Sequence, residues 1–240
     1  MIHKYFDVVQ GSQEWLDLRV GRVTCSNALD VMNRGVNACL AANVAAAKRL
    51  KPNGNAYAER GHVIEHEYKE EFNRTLEEGG LKLEECGFIT NDDYPNAGYS
   101  PDGLIVNDKG ELLSFAEFKA YNDITIDPQT RQPRLSCKHR NACRSMLDIP
   151  PACIAQCNMA MVLTETDSMY LFLCNPDAQK TMAYIQELLK KADAGDKKAA
   201  EELKKAMPDG EYEAEVLTTK IWTIKRDERI CKRIIAGLNR

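Results

Sequence analysis

No stretch of the 240 residues is long and apolar enough to cross a bilayer. The longest apolar run, 152–163, is broken by Gln156 and Asn158. Excess basic charge is also missing: 32 Lys and Arg stand against 36 Asp and Glu, for a formal net charge of −4. That balance excludes a histone-like or arginine-rich coat for nucleic acid, but not a local basic groove, because steering depends on where charge sits. The nine cysteines are odd in number and contain no CxxC pair, which argues against a secreted disulfide framework. Met1–Gln10 is short and mixed, unlike a secretory signal. The expected setting is therefore a reducing cell interior, with most cysteines acting as small buried apolar groups. Nor is there an HExxH pattern, an internal repeat or a low-complexity tract. What is present, 44% apolar and 28% charged residues, is ordinary for a globular protein. A chain of this length buries about 70–75% of its unfolded surface and needs no staple.

Texture changes along the chain. Trp15 to Val23 reads as helical, Thr24–Ser26 as an N-cap before 27–33, and 38–50 and 57–76 as helices, the last two separated by 51–55. From Leu81 the pattern turns extended, with strands expected near 81–89, 98–106 and 112–120. Asn107–Asp108–Lys109–Gly110 joins the last two as a hairpin turn. Residues 123–144 are polar, contain proline and read as irregular. Then come a helix at 153–163, a strand at 169–174, a charged helical hairpin within about 178–209, a strand at 212–224 and a helix at 227–238. The order implies an α/β fold, a single domain over 1–240 built on a central mixed β-sheet flanked by helices.

Chemistry concentrates at Ser100–Pro101–Asp102–Gly103 and Glu117–Phe118–Lys119. Glu117 and Lys119 are two apart and share one strand face, and the 107–110 turn brings Asp102 opposite them. Two gathered carboxylates repel unless a cation sits between them, and oxygen-only ligation suits Mg²⁺ or Mn²⁺. Such an ion acidifies bound water and neutralises a phosphate, and the lysine could orient or deprotonate that water. Three solvated charges on a hairpin are the alternative.

This pattern resembles the PD-(D/E)XK nuclease superfamily. Trp15–Ser26, Gly61–Glu65, Tyr99–Leu104, Ile154–Met159 and Ile224–Glu228 carry it further. In that order and spacing they resemble the phage lambda exonuclease family, the YqaJ-like viral recombinases. The resemblance implies a restriction-endonuclease-like fold. It implies that Glu65, Asp102 and Glu117, with the Phe118 carbonyl, bind two Mg²⁺ ions that Mn²⁺ can replace. Lys119 would position the hydrolytic water, and Gln156 would contact that water, the scissile phosphate or nearby backbone. Arg19, Thr24 and Ser26 would hold a 5′-terminal phosphate. Without the resemblance, Arg19 reads as a surface ion pair and Ser26 as a plain cap.

The implied activity is 5′→3′ digestion of linear double-stranded DNA from its ends, leaving 3′ overhangs for recombination. A trimeric ring and a single-strand annealing protein would be its partners, in the cytoplasm of a bacterial host, phage or prophage encoded. A restriction- or repair-type endonuclease and a silent DNA-end-binding module are the alternatives. Arg131, Arg134, Lys138, Arg140 and Arg144, with no acid among them, read as a solvated loop or a contact along the DNA backbone. Lys220–Arg240, at +5, is a second basic stretch. His62 and His66 read as surface or structural groups. Cys137, His139, Cys143, Cys153 and Cys157 could hold zinc or an iron–sulfur cluster, although their spacing matches neither pattern.

Overall fold

The computed structural model describes residues 1–47, 68–210 and 219–240. Its strands are β1 (Ile2–Tyr5), β2 (Val23–Thr24), β3 (Leu81–Glu84), β4 (Phe88–Asn91), β5 (Ala97–Gly98), β6 (Gly103–Asn107), β7 (Leu112–Ala120), β8 (Ile124–Ile126), β9 (Pro133–Leu135), β10 (Ser168–Cys174) and β11 (Thr219–Lys225). Helices are α1 (Gln13–Arg19), α2 (Ala28–Arg34), α3 (Val36–Ala47) and the helical residues 68–77 (α4). They continue with α5 (Lys138–Arg144), α6 (Pro151–Thr164), α7 (Ala178–Asp193), α8 (Lys197–Ala206) and α9 (Glu228–Leu238). The main sheet has five strands in the order β11-β10-β7-β6-β3.

The β6–β7 hairpin forms where the sequence asks for it. The Asn107 side chain accepts from the amides of Lys109 and Glu111, at 3.0 Å each. Gly110 takes φ 76°, a left-handed turn conformation that glycine adopts without steric cost. The expected strand at 98–106 splits instead into β5 and β6, because Pro101 has no amide to give a ladder. The region 123–144, expected to be irregular, contains the β8–β9 hairpin and α5.

The chain divides into two compact units. The first comprises Met1–Glu117, Pro150–Leu171 and Trp222–Arg240; the second comprises Phe118–Ile149 and Phe172–Ile221. In the first, α6 is buried on most of its circumference and packs against β4, α2 and α9. The buried Asn158 accepts from the Asp227 amide at 2.8 Å, and Asp227 itself caps α9 through the amides of Arg229 and Ile230. Gly237 lets α9 approach α2, since a Cβ there would run into the Val31 carbonyl oxygen. Gly237→Ala sets a gain in helix propensity of about 1 kcal/mol against a clash with backbone that no rotamer relieves. We expect the clash to win by about 1–3 kcal/mol, measured as a lower unfolding free energy in urea.

The second unit has its own small core of Leu135, Cys137, Ile185, Leu188, Ala199, Leu203 and Met207. The helical hairpin expected there is α7 and α8. Both present their apolar residues to this core and their charges outward. Tyr184 of α7 donates from its hydroxyl to the Pro133 carbonyl at 2.9 Å and to Glu202 at 3.1 Å.

Candidate active site

Register builds the first half of the site. In the antiparallel β6–β7 pair, Gly103 faces Ala116 and Leu104 faces Phe115, so one further step puts Asp102 opposite Glu117. Asp102 is not on the strand, as its spacing suggests, but immediately before it. Its loop is held by Gln10, whose side-chain amide donates to the Pro101 carbonyl at 2.8 Å and to the Cys86 carbonyl at 3.3 Å. A Cβ on Gly103 would strike the Leu83 side chain, which favours glycine directly after Asp102.

Glu117 is 2% exposed. Burying a carboxylate is costly unless its oxygens are satisfied. Gln156 of α6 donates its amide to one oxygen, and the Tyr99 hydroxyl lies 3.5 Å from the other. The sequence alone left Gln156 three possible contacts; in the structure it contacts the Glu117 carboxylate. Burial together with the charges of Glu117 and Asp102 pushes the Tyr99 phenol well above its ordinary pKa. Cys25 is buried too, and desolvation followed by the Glu117 charge drives its thiol up.

Beyond Glu117, β7 continues into the second unit. Alternation turns Phe118 to the other face, where its ring packs on Phe172 with centroids 5.0 Å apart. Lys119, two residues after Glu117 on β7, is half-buried. The donors placed here are all oxygens, the fit expected of a hard divalent cation rather than of zinc. Glu65, His62 and His66 lie outside the described residues. Among the described residues, no three His, Cys, Asp or Glu side chains gather closely enough to hold a metal, so the Cys137–Cys157 set forms no such site. Cys137 and Cys143 are buried thiols pushed up to about 12 chiefly by desolvation.

Arg19 stacks its guanidinium on the Trp15 ring, 4.0 Å from the centroid. Both side chains donate to the Ser100 hydroxyl, Trp15 at 3.0 Å and Arg19 at 3.4 Å, only two residues before Asp102. Partial burial lowers the Arg19 pKa from its ordinary value. Thr24 pairs in parallel with Gly98, and its hydroxyl lies 2.9 Å from that of the exposed Ser26. The expected cap is shifted here. Ser26 lies inside a 3-10 turn (Cys25–Asn27), with Thr24 in the capping position. Arg19, Thr24, Ser26 and Asp102 are thus all arranged along the segment 98–102.

Of the basic run, Arg131, Arg134 and Lys138 are exposed on the β8–β9 hairpin and at the start of α5. Arg140 departs from the surface position expected of it. It is 2% exposed and pairs with Asp209 at 2.6 Å, as Arg144 does also, so it is part of the interior of the second unit and not of a DNA-facing surface. Asp123, absent from the sequence-level reading, is fully buried. It accepts from the amides of His139 at 2.7 Å and Arg140 at 3.1 Å, and from the Asn175 side chain at 3.2 Å.

No protein-family model matches the chain, and no curated protein matches it. Two crystal structures of an alkaline exonuclease (LHK-Exo) from Laribacter hongkongensis, one in complex with dAMP, are similar to it. Each has a TM-score of 0.56 and 17% sequence identity, over 95% of this chain and 89% of the exonuclease chain. The fold is of the PD-(D/E)XK type. Within this PD-(D/E)XK fold, Pro101–Asp102 stands just before β6 and Glu117–Phe118–Lys119 lies on its antiparallel neighbour β7. No helix among the described residues is long and apolar enough to cross a membrane.

Proposed function

We propose that the chain is a Mg²⁺-dependent deoxyribonuclease that digests linear duplex DNA 5′→3′ from its ends, leaving 3′ overhangs for strand annealing. The observation that carries this reading is a buried carboxylate, Glu117, which accepts from the Gln156 side-chain amide. Asp102 lies opposite it by register and Lys119 two residues further along the same strand face. The similarity in fold to an alkaline exonuclease supports it.

Asp102, Glu117, the Phe118 carbonyl and Glu65 would hold two Mg²⁺ ions, for which Mn²⁺ can substitute. Ions held by these residues would supply acidification of water and neutralisation of charge on the scissile phosphate. Lys119 orients the attacking water, and Gln156 fixes the carboxylate on which that geometry depends. Arg19, with Thr24 and Ser26, grips the terminal 5′-phosphate by charge-assisted hydrogen bonds, while Arg131, Arg134 and Lys138 track the backbone. A homotrimeric ring, a single-strand annealing protein as partner and a phage- or prophage-encoded role in a bacterial cytoplasm belong to the same reading.

Linear duplex and covalently closed circular duplex, each incubated with the chain and Mg²⁺, test it. Digestion of the linear form alone is expected, and nicking or linearisation of the circle indicates an endonuclease. Arg19→Ala is expected to lower the preference for 5′-phosphorylated over 5′-hydroxyl ends by about 10–100-fold, the value of a hydrogen bond to a charged group. The rate on 5′-hydroxyl ends is expected to stay nearly unchanged, as read from initial rates on the two substrates.

A further inference from the structure

Tyr99 stands out among the buried polar groups that this reading leaves without a role. It is 1% exposed, and two backbone hydrogen bonds with Ile89, of 2.9 and 2.7 Å, fix its Cα. Its ring meets Phe115 edge-on, with centroids 6.0 Å apart and planes at 64°. Phe115 precedes Glu117 by two residues on β7, so the surface that seats the ring also carries the carboxylate. The hydroxyl at the end of that ring reaches Glu117 Oε2 at 3.5 Å, while Gln156 occupies Oε1. Donors on both oxygens restrict rotation of the carboxylate about its last bond, a torsion that is otherwise broad.

From this geometry we infer that Tyr99 is a positioning residue: its hydroxyl, seated by Phe115 and the Ile89 bridge, sets the plane of the Glu117 carboxylate for a divalent cation. The inference rests on the nuclease reading and adds a determinant of metal affinity supplied by a residue that touches neither DNA nor the reacting atoms.

Calorimetric titration of the full chain with Mn²⁺, without DNA, separates the two claims. Tyr99→Phe keeps the ring and removes only the hydroxyl. It is expected to weaken Mn²⁺ binding about three- to tenfold, the worth of one neutral hydrogen bond, with the melting midpoint in chelator near that of the wild type and KM for DNA ends unchanged. Gln156→Leu, the second variant, leaves the Tyr99 contact and is expected to retain Mn²⁺ binding within about tenfold of wild type. Wild-type Mn²⁺ affinity in Tyr99→Phe, or complete loss of binding in Gln156→Leu, overturns the inference. The control is Glu117→Gln: if it binds Mn²⁺ like the wild type, the metal site itself is misplaced and the nuclease reading goes with it.

Discussion

Glu117→Gln is expected to slow duplex-end digestion in Mg²⁺ by about 10³-fold, the equivalent of about 4 kcal/mol of transition-state stabilisation. In chelator the same variant should be as stable as the wild type or more so. The two effects have one cause. Glu117 is buried and faces Asp102 across the β6–β7 pair, so without a cation the two carboxylates repel in a weakly screened site. An amide of nearly the same shape removes the repulsion and still accepts from Gln156, but supplies no anionic ligand. Gel assays of end-labelled duplex read the first effect and thermal melts in chelator the second. A melting midpoint several degrees below that of the wild type would make Glu117 a structural residue. Lys119→Ala is expected to lose rate on a similar scale.

Asp123→Ala is expected to lower the unfolding free energy by about 3–5 kcal/mol, because it strips a buried acceptor from three donors. The His139 and Arg140 amides at the start of α5 and the Asn175 side chain all converge on this carboxylate. It therefore caps a helix whose own preceding residue, Cys137, supplies no side-chain cap. Asp123→Asn keeps one acceptor but turns an amide toward Asn175. Flipping Asn175 to compensate would forfeit its bond to the Asp177 amide, so a loss of about 1–2 kcal/mol is expected. Urea titration followed by circular dichroism measures both. Equal losses in the two variants would show that the acceptor set is not what matters.

The contrast between these two sites shows which parts of the molecule were legible in its sequence. The register that sets Asp102 opposite Glu117 could be read because a hairpin is local: a Gly-containing turn and a register count suffice. The closing helix at 227–238 and the charged helical hairpin that forms α7 and α8 were legible for the same reason. Asp123 was not, since the helix it caps begins 15 residues later along a stretch whose polar, proline-containing texture suggests no structure. Arg140 was misread as part of a basic surface because its partner, Asp209, lies 69 residues away. Tyr99 could be placed in a motif but given no role, since Glu117 and Phe115, which it contacts, lie on a different element, β7. Non-local packing, not local propensity, decided each of these cases.

Linear duplex carrying a label at one 5′ terminus, incubated with the chain and Mg²⁺ and sampled over time, tests duplex-end hydrolysis at this site. Wild type is predicted to release the label as mononucleotide in the earliest samples, and to release none in chelator or when Asp102→Asn replaces it. Release by Asp102→Asn at the wild-type rate, or an intact label with wild type in Mg²⁺, would contradict the assignment of this site to duplex-end hydrolysis.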